Sequence, residues 1–377
     1  MNEPNRAALA GIITEIITEI IEKEAPVVDT DGVFPRAGIT ALGKAGLLGL
    51  MSAQEVGGLG QGIRAAAELV EQVGRACGST GMVLCMHFTG NTAIEKCGPR
   101  LVREAIAAGR HLTSVALSEA GSRSHFWVPV GTAREDGEGY VRLDANKSWV
   151  TSAGQADSYV WSSKPLAAEG ASTLWLMPGR ADGLSIPAPY NGLGLRGNAS
   201  SPIKAAGTRL RRDAMLGEDG KGHDIIMNDM NDCFLTLSSA CYVGIMEAAT
   251  TRAAAHVAST QIQYLGQSLA ELPTIRAYIA RMRIKTDMVR ALLLDTLTAI
   301  ETGRSDRALR LLEVKAAAGE AATEVTELAM RVCGGVAFRK EVGVERYFRD
   351  ARAATVMAPT TDVLYDVIGK LACGLPT

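Results

Sequence analysis

The sequence predicts an α+β protein in which a β-rich stretch separates two helical stretches. Residues 4–110 are rich in Ala, Leu, Ile and Glu with helical spacing, and helical spacing returns after residue 216. Between them, short runs of β-branched and aromatic residues alternate with Gly, Pro, Asp and Ser. We therefore expect an N-terminal helical domain over 1–111, a middle antiparallel β-barrel or sandwich over 112–216, and a C-terminal four-helix bundle over 217–377.

The N-terminal stretch shows one-sided apolar spacing. Ile12, Ile16 and Ile20 recur at intervals of four residues and share one helical face. The glycine-rich run over 56–62 interrupts the helical pattern, since glycine is a poor helix former. A further helix is predicted from Ile63 to Arg75.

The middle stretch contains three runs that are typical of strands, at 140–144, 158–161 and 173–177. All four tryptophans of the chain fall inside this stretch. In the C-terminal stretch, apolar residues follow three- and four-residue steps, and the Ala-rich run over 316–332 predicts another helix. Small residues let helices approach closely, which favours a packed bundle.

Composition excludes several function classes. The chain has 377 residues, 47% hydrophobic and 21% charged, with a formal net charge of -2, which is typical of a globular protein without a nucleic-acid-binding basic excess. Its seven cysteines are scattered and form no C-x-x-C pair. No apolar run approaches the roughly 18 residues of a membrane span. We expect a cytoplasmic protein without a nucleic-acid or membrane partner.

The glycine motif, the histidine spacing and the serine motifs give little support for a dinucleotide, metal or serine-hydrolase site. Gly192–Gly197 matches G-x-G-x-x-G, but a proline-containing run precedes it and Asn-Ala-Ser-Ser-Pro follows it, so a β-turn is expected instead of a dinucleotide-binding turn. The five histidines show no metal-ligand spacing, and no metal site is expected. No G-x-S-x-G elbow is present, although spacing alone leaves a Ser-His-Asp triad open.

Five motifs occur in an order and at a spacing that resemble the acyl-CoA dehydrogenase family. They are Val115–Ser124, Asn146–Gly154, Gly194–Ser200, Leu216–Gly222 and the run Val344–Arg352, which resembles V-E-R-x-x-R-D-A. The resemblance extends from about residue 30 to residue 373. It implies the helical–β–helical fold of that family and FAD as the cofactor.

The resemblance also implies the residues that contact FAD. Trp149 would pack beside the isoalloxazine ring, and the hydroxyl of Thr151 would lie at flavin N5. An aromatic wall that excludes water and a hydroxyl near N5 both suit a redox centre. The other implied cofactor-binding residues are Leu117, Ser118, Ser124, Ser152, Gly334, Gly335, Thr360 and Asp362. Ser124, Arg196 and Ala358 would also contact the substrate.

The chain lacks the family's usual general base. In the family, E-G-T follows V-E-R-x-x-R-D-A after six residues, and this chain has Ala358 in place of the Glu. A methyl group cannot accept a proton. The alternative family position, on the first long C-terminal helix, is Phe234 here. Asp232, two residues earlier, is our candidate for a substitute base and substrate contact, ahead of Asp362 and Glu119.

A second departure concerns the flavin pyrophosphate. Ile262 stands where the family's R-x-x-F-G hairpin has its Arg, and Arg331 stands where a later motif has Gln. We hypothesise that Arg331 takes over neutralisation of the pyrophosphate, because a guanidinium suits bidentate phosphate contact.

Three functions remain open on the sequence. The first is an FAD-dependent oxidoreductase acting on an acyl thioester, linked to CoA or to a carrier protein, with a relocated base. The second is a flavin-dependent monooxygenase, since family relatives with that activity lack the Glu. The third is a vestigial flavoprotein without catalysis. The resemblance further implies an electron-transfer partner or O₂, and a homotetramer or homodimer.

Overall fold

The computed structural model describes residues 3–123, 125–137 and 139–376, with side chains from Ala8 onward. The helices are α1 (Glu3–Ile16), α2 (Glu22–Asp31), α3 (Arg36–Lys44), α4 (Ile63–Ala76), α5 (Gly78–Cys97), α6 (Arg100–Ala107), α7 (Gly222–Ile225), α8 (Asn231–Ser259), α9 (Pro273–Thr302), α10 (Arg307–Cys333), α11 (Val344–Ala351), α12 (Ala353–Val356) and α13 (Thr361–Ala372). π-helical turns at Ile17–Ile21 and Ile226–Met230 join α1 to α2 and α7 to α8. The helices predicted at 63–75 and 316–332 are thereby confirmed.

The strands are β1 (Thr113–Ala116), β2 (Thr132–Glu135), β3 (Tyr140–Val150), β4 (Ser158–Ser163), β5 (Thr173–Pro178), β6 (Leu184–Ser185), β7 (Ser201–Arg211), β8 (Met215–Leu216), β9 (Gln261–Ile262) and β10 (Gln267–Ser268). The three predicted runs correspond to β3, β4 and β5. The order of helices, strands and helices is that of the predicted α+β class.

The chain divides into two compact units. The first comprises the residues up to Leu69, Met82–Asn191 and Arg196–Phe234; the second comprises Val70–Gly81, Gly192–Leu195 and the chain from Leu235. The predicted boundaries after residues 111 and 216 coincide with changes of secondary structure, not with the limits of these units. The three-domain division stays a prediction.

In the first unit, two four-stranded sheets enclose an aromatic core. Their strand orders are β1-β4-β5-β8 and β2-β3-β7-β6. The core between them contains Leu143 from one sheet and Tyr159, Trp161, Trp175 and Met177 from the other, all fully buried. The pair β1–β4 is parallel, unlike the antiparallel arrangement predicted for this stretch. A long crossover permits this pairing, because β2 and β3 lie between the two strands in the sequence.

His87 connects helix and sheet in the same unit. Its Nε2 lies 2.9 Å from the carbonyl oxygen of Leu48, and its Nδ1 accepts the backbone N–H of Thr113 at 3.2 Å. Burial lowers the pKa of His87 to about 4, so the ring is neutral at pH 7 with its proton on Nε2. The histidine thus acts as a structural tie between α5, β1 and the turn at Leu48.

In the second unit, α10 packs against α9, α11 and α13. The close approach depends on small residues: a Cβ at Gly319 would lie 3.1 Å from Thr361 Oγ1 and 3.4 Å from the carbonyl oxygen of Ala354. A charged network adds to this packing, since Glu247 accepts hydrogen bonds from Arg283 and Arg290 at 2.7 and 2.9 Å. Hydrogen bonding from Arg283 lowers the pKa of Glu247 to about 2.

The helical segment Gly222–Ser259 is long and apolar enough to cross a membrane by length and composition alone. However, 94% of its most apolar window is buried inside the protein, as is common for a core helix. This single segment is weak support for a membrane span.

Asp219 holds the loop before β5 in the first unit. Its carboxylate accepts the backbone N–H groups of Leu166, Ala167 and Ala168 at 2.8 Å each and the hydroxyl of Thr173 at 2.5 Å. Burial raises the pKa of this carboxyl, but the hydrogen bonds from Thr173 and from the three amides outweigh it and lower the pKa to about 2.

We expect Asp219→Asn to destabilise the protein by about 1–3 kcal/mol at pH 7, because the amide's NH₂ cannot accept from the N–H groups. The stabilisation by the carboxylate is complete above the unfolded pKa of 3.8 and is lost as pH falls toward 2. Urea unfolding at pH 7 and pH 3 checks both points. The neighbouring exposed Glu218→Gln is the matched control, and equal stability of Asp219→Asn and wild type at pH 7 would refute this assignment.

Candidate functional site

An exposed tryptophan stands at the end of β3 in the first unit. The register between β3 and β7 is irregular from Lys147 to Val150, and Trp149 lies within this bulge with φ of 55°. Its side chain is 71% exposed. A positive φ is uncommon for a non-glycine residue, and such strained positions cluster at functional sites. The bulge thus presents an indole face to the surroundings.

Thr151 and Ser152, the next two predicted flavin contacts after Trp149, are held in place by hydrogen bonds of their backbone groups. The carbonyl oxygen of Thr151 accepts the hydroxyl of Ser114 at 2.6 Å, and the N–H of Ser152 donates to Asn198 at 2.8 Å. The hydroxyl of Thr151 lies 3.1 Å from that of Ser200. Ser152 Oγ is buried and has no hydrogen-bond partner among the described residues. Its hydroxyl is therefore available to a bound group.

A buried ion pair links this bulge to the loop after β1. Lys147 Nζ lies 2.7 Å from Glu119 Oε1, and the two side chains are 0% and 5% exposed. Sequence reasoning missed Lys147, although the alternation of β3 contains the signal: Leu143, Ala145 and Lys147 all point inward. An inward lysine requires a carboxylate or carbonyl partner.

The loop after β1 carries the other predicted contacts of this unit. The carbonyl oxygen of Leu117 accepts from Lys147 Nζ at 3.3 Å, and that of Ser118 accepts the N–H of Ser148 at 2.8 Å. The structure therefore brings Leu117 and Ser118 beside the Trp149 bulge. Ser124 lies outside the described residues.

Arg196 is held by α2 of the first unit. Its Nε donates to the carbonyl oxygen of Asp29 at 2.6 Å, and one Nη lies 3.4 Å from that of Thr30. Its substrate-binding role stays a prediction. No helix follows the glycine motif at 192–197, and β7 begins at Ser201, so the expected turn is confirmed.

Asp232 and Phe234 lie in the first turn of α8, directly after the π-helical turn. Each is 9% exposed. π-helical turns within α-helices are frequent at functional sites. Asp232 is thus a nearly buried carboxylate in a distorted helical segment, and it belongs to the same compact unit as Trp149 and Thr151.

In the second unit, a buried lysine holds the segment that contains Ala358. Lys315 Nζ donates to the carbonyl oxygens of Ala354, Met357 and Pro359 at 3.0, 2.9 and 2.6 Å. Burial lowers the pKa of Lys315 to about 8. Sequence reasoning missed this residue, because one lysine in an Ala-rich helix gives no sign of its partners. The clamp keeps the shape of the segment without a carboxylate at position 358.

Arg331 and the two glycines after it lie at the C-terminal end of α10. The guanidinium stacks on the ring of Tyr278, 5.1 Å from its centroid, and the described part of the chain gives it no carboxylate partner. Gly334 has φ of 64°, and no atom lies within 4 Å of a Cβ placed on Gly334 or Gly335. Close approach of a ligand to this backbone is therefore unobstructed.

Thr360 and Asp362 begin α13. Thr360 is the N-cap, and its hydroxyl accepts the N–H of Val363 at 3.4 Å. Asp362 is exposed in the first turn, where its negative charge interacts favourably with the helix dipole. Both have local structural roles, and their cofactor-binding roles stay predictions.

Charged residues of Val344–Arg352 hold this segment in place through hydrogen bonds to backbone groups. Arg346 donates to the carbonyl oxygen of Ala76 at 3.3 Å, and Arg352 donates to that of Thr323 at 3.0 Å. Asp350 accepts the N–H of Leu195 at 2.6 Å, which supports the positive φ of Leu195. These contacts therefore stabilise the second unit. Among the described residues, no group of His, Cys, Asp and Glu is arranged to hold a metal ion.

Comparison with known families matches both ends of the chain. The family model for the acyl-CoA dehydrogenase N-terminal domain matches residues 4–108, and that for the C-terminal domain matches residues 220–372.

Whole-length comparisons agree. The chain is 28% identical to the mitochondrial short-chain specific acyl-CoA dehydrogenase of Bos taurus over 366 residues, which cover 93% of this chain and 87% of the relative. It resembles the structure of butyryl-CoA dehydrogenase from Megasphaera elsdenii with a TM-score of 0.89 at 20% identity, covering 99% of each chain. It also resembles the prolyl acyl carrier protein oxidase AnaB with a TM-score of 0.87 at 18% identity, again over 99% of each chain.

These matches agree with the motifs and with the order of helices and strands. Members of the matched family are flavin-dependent oxidoreductases. The chain belongs to the acyl-CoA dehydrogenase family.

Proposed function

We propose that this FAD-dependent protein oxidises the acyl group of a thioester, linked to CoA or to a carrier protein, with a proton acceptor other than residue 358. The observation that carries the proposal is the nearly buried carboxylate of Asp232, in a chain that has Ala358 and Phe234 at the family's base positions. The short-chain acyl-CoA dehydrogenase relative supports the thioester as substrate class. The likeness to a carrier protein oxidase is a likeness of fold.

The first unit has groups that suit a flavin ring. Trp149 would supply an aromatic wall, and the hydroxyls of Thr151 and Ser152 would supply hydrogen bonds. Ser152 Oγ, which is buried without a partner in the described chain, fits a heteroatom-rich ring. Leu117 and Ser118 would line the same wall from the adjoining loop.

The second unit has groups that suit a phosphate. Arg331 would supply positive charge, and the unobstructed backbone at Gly334 and Gly335 would let a phosphate approach closely. Thr360 and Asp362 would complete the cofactor-binding set.

FAD would supply the acceptor for the hydride that leaves the β carbon of the acyl group. Asp232 would accept the proton that leaves the α carbon, so that the product is the α,β-unsaturated thioester. General-base help of this kind is worth about 10²- to 10⁴-fold in rate. Ser124 and Arg196 would hold the substrate arm.

The missing carboxylate at position 358 also favours a second candidate, a flavin-dependent monooxygenase. That enzyme would need O₂ and no base at the α carbon. The two candidates differ in whether a thioester alone reduces the flavin.

We also propose self-association as a homotetramer or homodimer. On α9, the side chains of Ile284 and Met288 are 57% and 65% exposed and, being four residues apart, lie on one face of the helix. A second copy would cover this apolar stripe.

We expect anaerobic addition of an acyl thioester to bleach the flavin of the loaded protein, because two electrons leave the substrate. CoA and carrier-protein thioesters should both be tried, with absorbance at the flavin band as the measurement. Asp232→Asn should slow bleaching by about 10²- to 10⁴-fold without loss of FAD. Asp224→Asn, an exposed neighbour on α7, is the control.

Bleaching of Asp232→Asn at the wild-type rate would reject Asp232 as the base. Absence of bleaching in the wild type, with rapid O₂ consumption after chemical reduction of the flavin, would favour the monooxygenase.

Arg331→Ala should weaken FAD binding by about 1.5–3 kcal/mol, the usual range for a hydrogen bond to a charged group. Riboflavin has no phosphate, so its affinity should not change. Fluorescence titration of the apoprotein with each compound makes the comparison, and the exposed Arg339→Ala is the control. Equal FAD affinity in wild type and Arg331→Ala would reject a pyrophosphate role.

A further inference from the structure

The residues of the tryptophan bulge are not paired in regular register with the neighbouring strand β7. Along β3, Lys147 pairs with Ile203 and Val150 pairs with Ser201, and the register is irregular between these pairs. Ser148 and Trp149 therefore have no regular partner on β7. The backbone N–H of Ser148 donates to the carbonyl oxygen of Ser118 at 2.8 Å. A positive φ at Trp149 persists only where the surroundings enforce it.

Lys147, next to the bulge, is immobilised by four oxygen atoms. Its ammonium lies 2.7 Å from Glu119 Oε1, 2.8 Å from the carbonyl oxygen of Ser162, 2.9 Å from Ser162 Oγ and 3.3 Å from the carbonyl oxygen of Leu117. It also lies over the ring of Trp161, 5.3 Å from the centroid. The side chain is fully buried, so water cannot replace any of these contacts.

Glu119 extends the restraint to a third segment. Its Oε2 accepts the N–H of Gly131, just before β2, at 2.9 Å. Glu119 and Lys147 also form an isolated antiparallel bridge through their backbones. One carboxylate and one ammonium thus tie the loop after β1, the start of β2, and strands β3 and β4 together beside the bulge.

We propose that the Glu119–Lys147 pair is a positioning device that sets the backbone of the bulge and thereby aims the indole of Trp149. Neither residue needs to touch the flavin. The inference rests on the proposed function only for its consequence, namely that the aromatic wall beside the ring is held in place by a charge pair inside the β sandwich.

We attribute the positioning of Trp149 to the charges of Glu119 and Lys147 and not to the volume of their side chains. Removing one partner leaves an uncompensated buried charge, which destabilises the whole unit and obscures a local effect. The double variant Glu119→Gln/Lys147→Met keeps the shape and removes both charges. Buried ion pairs replaced by apolar or neutral groups of similar volume often leave proteins folded. In this variant Ser162 and Leu117 lose their donor, and the bulge loses its anchor.

The test uses the apoprotein labelled with 5-fluorotryptophan. Its four tryptophans give separate fluorine resonances, and Trp149→Phe assigns the exposed one. In the double variant we expect the Trp149 resonance to shift and broaden as the indole samples several positions. Trp161 responds because its cation neighbour is gone, whereas buried Trp175 stays in place. Flavin-loaded protein should show an altered visible circular dichroism and weaker FAD binding.

Lys315→Met is the matched control, because it removes a buried lysine of the second unit that also donates to carbonyl oxygens. It should lower stability and leave the Trp149 resonance unchanged. If the double variant fails to fold, Ser162→Ala removes a single acceptor of Lys147 and should shift the Trp149 resonance in the same direction by less.

An unchanged Trp149 resonance in the folded double variant, or in Ser162→Ala where that variant is needed, would overturn the proposal. A shift of the same size in Lys315→Met would also overturn it, since the effect would then follow stability alone. The readout needs no flavin, so failure of the wild-type protein to bind FAD would count against the proposed function and not against this inference.

Discussion

A lysine ammonium buried in a protein must be surrounded by oxygen atoms, and this requirement fixes one segment with candidate-site residues in each of the two units. An unsatisfied buried charge is too costly for a marginally stable fold. Lys147 therefore draws Glu119, Ser162 and Leu117 into fixed places in the first unit. Lys315 does the same in the second unit with the carbonyl oxygens around Ala358. Burial lowers the pKa of each lysine to about 8, because it is costly to keep a charged group away from water.

In the loop around Ala358, the contacts that fix the backbone are separate from the side chain that would react. Lys315 holds its loop through backbone carbonyl oxygens, so the side chain at position 358 is not needed for the loop's shape. A carboxylate could be lost there while the loop remained. The fold of the acyl-CoA dehydrogenase family is thus compatible with a changed proton acceptor, in line with the general rule that a fold does not determine its reaction.

Much of the fold follows from local patterns. The helix at Ile63 and the strands at 140–144, 158–161 and 173–177 were predictable, because periods of 3.6 and 2 reflect which side chains face the core. The parallel pairing of β1 with β4 was not, since it depends on a crossover between distant segments. The alternation of β3 placed Lys147 inward, but no local signal identified Glu119 as its partner. For Lys315, the acceptors are backbone atoms some forty residues away, which leave no trace in residue type.

The site was predictable to a similar degree. Trp149, Thr151 and Ser152 lie together at the end of β3 because they are close in the chain. The structural duties of Arg346, Asp350 and Arg352 were hidden, since a charged residue in a motif gives no sign of whether it binds a ligand or a carbonyl oxygen.

We propose that the scaffold of the family is retained while the proton acceptor has moved from position 358 to Asp232. The most direct test is to add Ala358→Glu to the Asp232→Asn chain and to measure anaerobic flavin reduction by an acyl thioester. With the scaffold retained, we expect the glutamate to restore reduction, by as much as the roughly 10²- to 10⁴-fold that a general base contributes. A fully FAD-loaded double variant that reduces no faster than Asp232→Asn alone would contradict it.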